Sequence, residues 1–221
     1  MKRALCLAAA AILACAAITG CGEGKESSNS YTLNQENMEY GATITELRPS
    51  ANENVKIMIS FDNRFFGGSG EEKDYSDIYS ICDCIAGFNT NDHQLIKDHS
   101  YPGYLDNVAE QTGAAGADEY LDSYVEKLTD TLGEGFEIDY IDISKCSGES
   151  DDESEYYFGT VDRTLIEIAG ADVLDKVTSR KMITIGGDTS YTLPTGTYKL
   201  TNHASEMVFC LYQIDGEYYI F

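Results

Sequence analysis

"FEIDYIDISKC", residues 136–146, alternates apolar and polar side chains, and it is the first stretch after residue 70 to do so. A period of two sends successive side chains to opposite faces, so this segment reads as a β-strand with one face buried. What precedes it has a different period. From Glu71 to Phe88 the apolar Tyr75, Ile78, Tyr79, Cys82, Ile85 and Phe88 recur at helical spacing, with acidic residues in the first turn, where the helix dipole favours them. Asn91 or Asp92 can cap a short second helix that carries Leu95 and Ile96 and ends before Pro102. "PGYLDNVAEQTG" predicts a third helix up to Gly113. Asp118 is expected to cap a fourth, with Leu121, Val125, Leu128 and Leu132 on one face and Gly133 and Gly135 beyond it.

Downstream of Cys146, the acidic run "SGESDDESEYY" predicts a solvated loop, followed by a small helix over Thr164 to Val177 interrupted at Gly170. "RKMITIGG", "SYTL", "TYKLTN" and "EMVFCLYQIDGEYYIF" predict strands, the last folded on itself at Asp215-Gly216, a strong hairpin signal. Upstream, "YGATITELRP" (40–49) and "NVKIMISFD" (54–62) are rich in β-branched residues and predict a short β-hairpin. Helices followed by a sheet make an α+β layout. About 186 residues, 36–221, suffice for one domain with its own core: a strand pair over 36–66, then helices and sheet over 71–221.

Two stretches carry a likeness. "IAGFNTNDHQLIKDHSYPGYL", Ile85 to Leu105, has a helix, an Asn-containing break and an Asp-started second helix, and "YQIDGEYYIF" closes on Asp-Gly before an aromatic strand. Over residues 71–221 this resembles the nuclear-transport-factor-2-like superfamily. The resemblance implies a cone-like domain, with N-terminal helices packed in a curved antiparallel sheet, and the hairpin before Glu71 is an addition to that pattern. It also implies a ligand or partner in the concave sheet face. Relatives that isomerise steroids use a Tyr and two Asp inside the cone, for which Tyr140, Asp139 and Asp142 are the residue types required.

The N-terminus speaks to location. After Lys2 and Arg3, fifteen uncharged residues run from Ala4 to Ile18, about 22 Å of helix, against the roughly 30 Å that a spanning helix must cross. That order belongs to a signal peptide, residues 1–20, and not to a membrane span. Ile18-Thr19-Gly20-Cys21 resembles the bacterial lipobox, which implies cleavage before Cys21 and acylation of its thiol, with a palmitate-type chain among the lipids. Each buried CH₂ contributes about 0.8 kcal/mol, and two or more chains anchor stably. Gly22 to Gln35, "GEGKESSNSYTLNQ", has the composition of a flexible linker; with Cys21 it makes a tether over 21–35, and it can extend at most about 46 Å. The expected placement is the extracytoplasmic face of the cell membrane.

Charge fits that placement. All 38 acidic residues follow residue 20, and 15 basic residues less Lys2 and Arg3 leave 13, so the cleaved chain carries a net charge of −25. Such a surface repels phosphate backbones and anionic headgroups alike, which excludes nucleic acid as a partner and leaves the lipid on Cys21 as the membrane contact. Solubility beside an anionic cell surface accounts for the excess.

The residues supply little other chemistry. His93 and His99 are six apart, about 240° round a helix, so one ion cannot take both, and His203 stands alone. Residues 148–157 lack the alternating spacing of a calcium loop. Gly67 to Gly70 lacks the Lys of a phosphate loop. Cys82, Cys84, Cys146 and Cys210 permit long-range disulfides in an exported domain, or stay buried thiols; Cys82 and Cys84 diverge by about 200° on a helix and cannot pair with each other. The expectation is a non-catalytic lipoprotein with no cofactor that binds a small ligand or a partner protein, with a hydrolase or isomerase, or an acidic interaction module, as the alternatives.

Overall fold

In the computed structural model, residues 43–49, 56–62, 76–148, 152–186, 188–200 and 207–221 are described. The lipobox with Cys21, the linker, Gly67 to Gly70, His203 and part of the acidic run lie outside them. Among the described residues no helix is long and apolar enough to cross a membrane.

The expected strand pair is present. β1 (Thr43–Pro49) and β2 (Lys56–Asp62) pair antiparallel, and Ile57, Ile59 and Phe61 of β2 point into the core. α1 (Ser76–Thr90) follows, and from Ser80 to Phe88 every side chain but Asp83 is buried. A helix apolar all round belongs inside a protein, and α1 is the centre of the larger hydrophobic cluster. Asn91 ends it with φ 53°, in the left-handed region that Asn tolerates. Asp92 then caps α2 (His93–Asp98), its Oδ1 accepting from the Gln94 and Leu95 amides at 3.1 and 3.2 Å.

At Gly87 helix α1 meets α2 closely. A Cβ built there stands 2.5 Å from Ile96 Cγ1 and 3.0 Å from the Asp92 carbonyl oxygen. In an open helix alanine gains about 1 kcal/mol over glycine, whereas overpacking costs about 1–3 kcal/mol. Gly87→Ala is therefore expected to lower stability, by about 1 kcal/mol. A rise in the urea midpoint would show that the helices part at no cost.

α3 (Tyr104–Thr112) ends at Gly113, with φ 83°. α4 (Ala117–Leu132) buries Leu121, Tyr124, Leu128 and Leu132 along one face. Here the structure differs from expectation: Gly116, not Asp118, is the N-cap, and no side chain of that residue caps the helix. Asp106 Oδ1 of α3 accepts from the Ala117 amide at the first position of α4, and Glu119 Oε2, in the first turn of α4, reaches back to the Ala115 amide ahead of the cap. Asp118, relieved of capping, turns to α2.

β3 (Glu137–Ser147) is the strand read from the sequence and the spine of the sheet. It pairs with β2 in parallel, the one exception to an otherwise antiparallel sheet among the described residues. Parallel pairing needs a long crossover, and the four helices between β2 and β3 provide it.

The acidic run does not form the expected loop throughout. α5 spans Asp152–Ala169, and Gly170 (φ 85°) divides it from a 3₁₀ helix, Ala171–Lys176. Acids suit the first turn of a helix, and Phe158, Val161 and Leu165 repeat at helical spacing and are buried. These two facts outweigh the charge density that predicts a loop.

β4 (Val177–Ile185), β5 (Ser190–Leu193), β6 (Gly196–Lys199), β7 (Met207–Ile214) and β8 (Glu217–Ile220) complete the chain. The order is β1-β2-β3-β4-β7-β8, with β5 also on β3 and β6 on β5. At the β7–β8 turn Asp215 and Gly216 have φ 53° and 89°, the positive values that match a tight turn to strand twist.

The architecture is mixed α+β. Helices cover both faces of the sheet, however, and do not only fill a hollow on one side. α1, α2 and α4 contribute to one cluster with Ile59, Ile141 and Phe209; α5 and the 3₁₀ helix contribute to a second with Cys210, Tyr212 and Phe221. β7 shows why. Met207, Phe209 and Leu211 join the first cluster, while Cys210, Tyr212 and Ile214 join the second. A strand buried on both faces reads as a nearly continuous apolar run, as "MVFCLYQI" does.

Candidate functional site

The descent from α2 through Pro102 and Gly103 into α3, and the turn between α3 and α4, leave a cleft of about 580 Å³ between them. Lys97, Tyr101, Pro102, Leu105, Asp106 and Glu119 are among its lining residues, with Asp118 and the Gly116 backbone. Its carboxylates are held in place. Lys97 Nζ donates to Asp118 Oδ1 at 2.6 Å, and His93 Nδ1 lies 2.8 Å from the same oxygen. These two partners, Lys97 foremost, hold the Asp118 carboxyl below its ordinary range. His93 Nε2 also faces Asp122 Oδ1 at 3.2 Å and Asn91 Oδ1 at 3.3 Å. Asp106 and Glu119 each spend one oxygen on a backbone amide, at 3.3 and 2.6 Å.

The histidines part company, as their spacing predicts. His93 faces α4, whereas His99 Nε2 sits 3.1 Å from Asp83 Oδ2 on α1, and the His99 carbonyl accepts from the Ile220 amide at 2.7 Å. Among the described residues no group of three or more His, Cys, Asp or Glu is arranged to hold a metal ion.

Asp139, Tyr140 and Asp142 lie on β3 but do not line the cleft. Asp139 accepts from Ser190 Oγ at 3.0 Å and Thr192 Oγ1 at 2.7 Å, which fastens β5 to β3. Asp142 Oδ2 accepts from the Asp188 amide at 3.3 Å and steadies the β4–β5 turn. Partial burial raises the Asp142 pKa, opposed by that amide. Tyr140 stands opposite Met58 in the sheet register.

In this structure Cys82, Cys84, Cys146 and Cys210 are not joined in disulfides. Cys210 joins the cluster on the far side of the sheet from Cys82 and Cys84, which places the sheet between them. Burial, and then a neighbouring carboxylate (Asp83 and Asp162 respectively), pushes Cys84 and Cys210 up to about 12. Almost no thiolate exists at neutral pH, so neither is an activated nucleophile.

Sequence reading missed one polar network. The Tyr212 hydroxyl, 3.0 Å from Asp162 Oδ1 and 3.2 Å from the Phe158 carbonyl, joins α5 to β7; Arg180 Nη1 donates to Asp162 Oδ2 at 2.7 Å and its guanidinium lies 5.1 Å from the Phe158 ring centroid. Burial, then the Asp162 charge, pushes the Tyr212 pKa up. The network seats α5. No local pattern marks residues 50 positions apart.

Compared with models of known protein families, with curated proteins and with solved structures, the chain matches none.

Proposed function

We propose that this protein is a lipoprotein tethered through Cys21 to the extracytoplasmic face of the cell membrane, where its α+β domain binds a small ligand without catalysis. The observation that carries the anchor is the order at the N-terminus: Lys2 and Arg3, an uncharged run too short to span, Ile18-Thr19-Gly20-Cys21, then a polar linker. A net charge of −25 after cleavage supports it, because a surface that anionic headgroups repel needs a covalent anchor to stay beside them.

Binding, as against catalysis, is supported by how Asp139 and Asp142 are used. Each is bound into the sheet's own junctions. The superfamily likeness would put a ligand in the hollow of a curved sheet, but α1, α2 and α4 pack on the face that would form that hollow. The ligand site in this reading is therefore the cleft beside α2, α3 and α4.

Cells expressing the full chain, fed labelled palmitate, should yield a labelled membrane-bound product. Cys21→Ala should carry no label and either leave the membrane fraction or keep its signal. An unlabelled wild-type protein would sink the anchor. Native mass spectrometry of the full chain in detergent after exposure to cell extract should show a retained small molecule; retention of none counts against the binding role.

A further inference from the structure

We infer that the contact between α2 and α4 is a proton-operated clasp: the His93 imidazole holds Asp118 and Asp122 while it carries both ring protons, and on losing one it releases Asp122 and bonds Asn91. The inference depends neither on the anchor nor on the ligand of the cleft.

Both ring nitrogens face acceptors. His93 is the first residue of α2, its side chain 17% exposed, and Asp118 and Asp122 stand one turn apart on α4. Nδ1 lies 2.8 Å from Asp118 Oδ1; Nε2 lies 3.2 Å from Asp122 Oδ1 and 3.3 Å from Asn91 Oδ1, in the turn between α1 and α2. An ionised carboxylate has no proton to give, and a neutral imidazole has one N–H and one lone pair. A neutral ring therefore turns a lone pair on one of the two carboxylates, whereas the imidazolium donates to both. Imidazole is the side chain whose charge ordinarily changes between about pH 5 and 8. Nε2 is the nitrogen that can give up its proton, because the exposed Asn91 amide group can turn and present its N–H₂ there. Asp118 stays in place in either state, since Lys97, one turn further along α2, donates to the same oxygen at 2.6 Å. Asp122 alone is let go. Lys97 and Asp118 both line the cleft, so the clasp acts on its wall.

Amide hydrogen exchange of the full chain in detergent, corrected for the intrinsic effect of pH on exchange, tests this against His93→Gln, whose side chain does not titrate. The Tyr120 amide, bonded to the Gly116 carbonyl at 3.1 Å, reports on the first turn of α4. At about pH 5.5 it should be about two- to fivefold better protected in the wild type than in the variant, the scale of an exposed ion pair, and at about pH 8 that advantage should be gone. The sign follows from the proton: the extra hold is present below the imidazole range and lost above it. Asp122→Asn puts in the same place an amide that accepts from a protonated ring nitrogen and donates to a bare one, so its advantage over His93→Gln should persist at about pH 8. Nitrogen-15 spectra of the ring should show protons on both nitrogens at the lower pH and on Nδ1 at the higher. The inference is overturned by a wild-type advantage that is equal at both pH values or absent at both, by an Asp122→Asn protein that loses it as the wild type does, or by a neutral ring protonated on Nε2.

Discussion

Replacing Phe221 with alanine will remove about 3–5 kcal/mol of folding stability, a large share of the roughly 5–15 kcal/mol that holds a domain folded. Phe221 is 5% exposed and sits where the second cluster closes. Its ring meets Tyr104 edge-on at 4.8 Å and Tyr212 at 5.1 Å, and stacks with Tyr101 at 6.5 Å. Its backbone exchanges both hydrogen bonds with Cys210, at 2.9 and 3.0 Å, and keeps that site rigid around the hole. A rigid site cannot collapse, so the cavity term adds to the lost transfer energy. The chain has no Trp, so urea unfolding is best followed by far-ultraviolet dichroism; the midpoint should fall with the slope unchanged. Phe221→Leu should restore more than half the loss. A deficit below about 1 kcal/mol for the alanine variant would mean that the aromatic cluster repacks freely.

The second large effect belongs to Asn89. Its side-chain amide donates to the Ile138 carbonyl at 2.9 Å and accepts from the Ile138 amide at 2.9 Å, as the backbone of a neighbouring strand would. The side chain thus ties the end of α1 to β3 at a residue 1% exposed. Asn89→Ala strands one backbone donor and one acceptor, each at about 1–3 kcal/mol, for a combined loss of about 2–6 kcal/mol. Asn89→Asp separates the two halves of the bond. An ionised carboxylate accepts but cannot donate, whereas a protonated one does both. The deficit of the aspartate variant relative to wild type should therefore shrink as pH falls through its carboxyl pKa and grow as pH rises. A deficit that does not change with pH would leave the paired hydrogen bonds without an energetic role.

Local pattern made most elements legible. Helical spacing marked α1 through α4, and alternation marked β3. Asp92 as the cap of α2 and Asp215-Gly216 as the β7–β8 turn were readable because each acts within three or four residues. The cleft was less legible. Its pieces, Lys97, Asp106, Asp118 and Glu119, were visible as charges, but Lys97 and Asp118 are 21 residues apart, and nothing in the sequence says that they touch. Asp118 illustrates the limit: its position before an apolar periodic run makes it a natural cap, yet Gly116 is the N-cap, Asp106 of α3 takes the Ala117 amide, and Asp118 pairs with Lys97 and His93 of α2.

By itself, then, the sequence determined most of the elements and the excess of acidic charge, since period and charge act over short distances along the chain, and it is the sole basis of the proposed tether at Cys21. Tertiary structure alone decided that α5 covers the second face of the sheet, that β2 runs parallel to β3, and that Asn89 serves β3 across 49 residues. The physical reason is the same in each case. These outcomes depend on which partner satisfies a buried face or a backbone group, and that partner comes from a distant part of the chain.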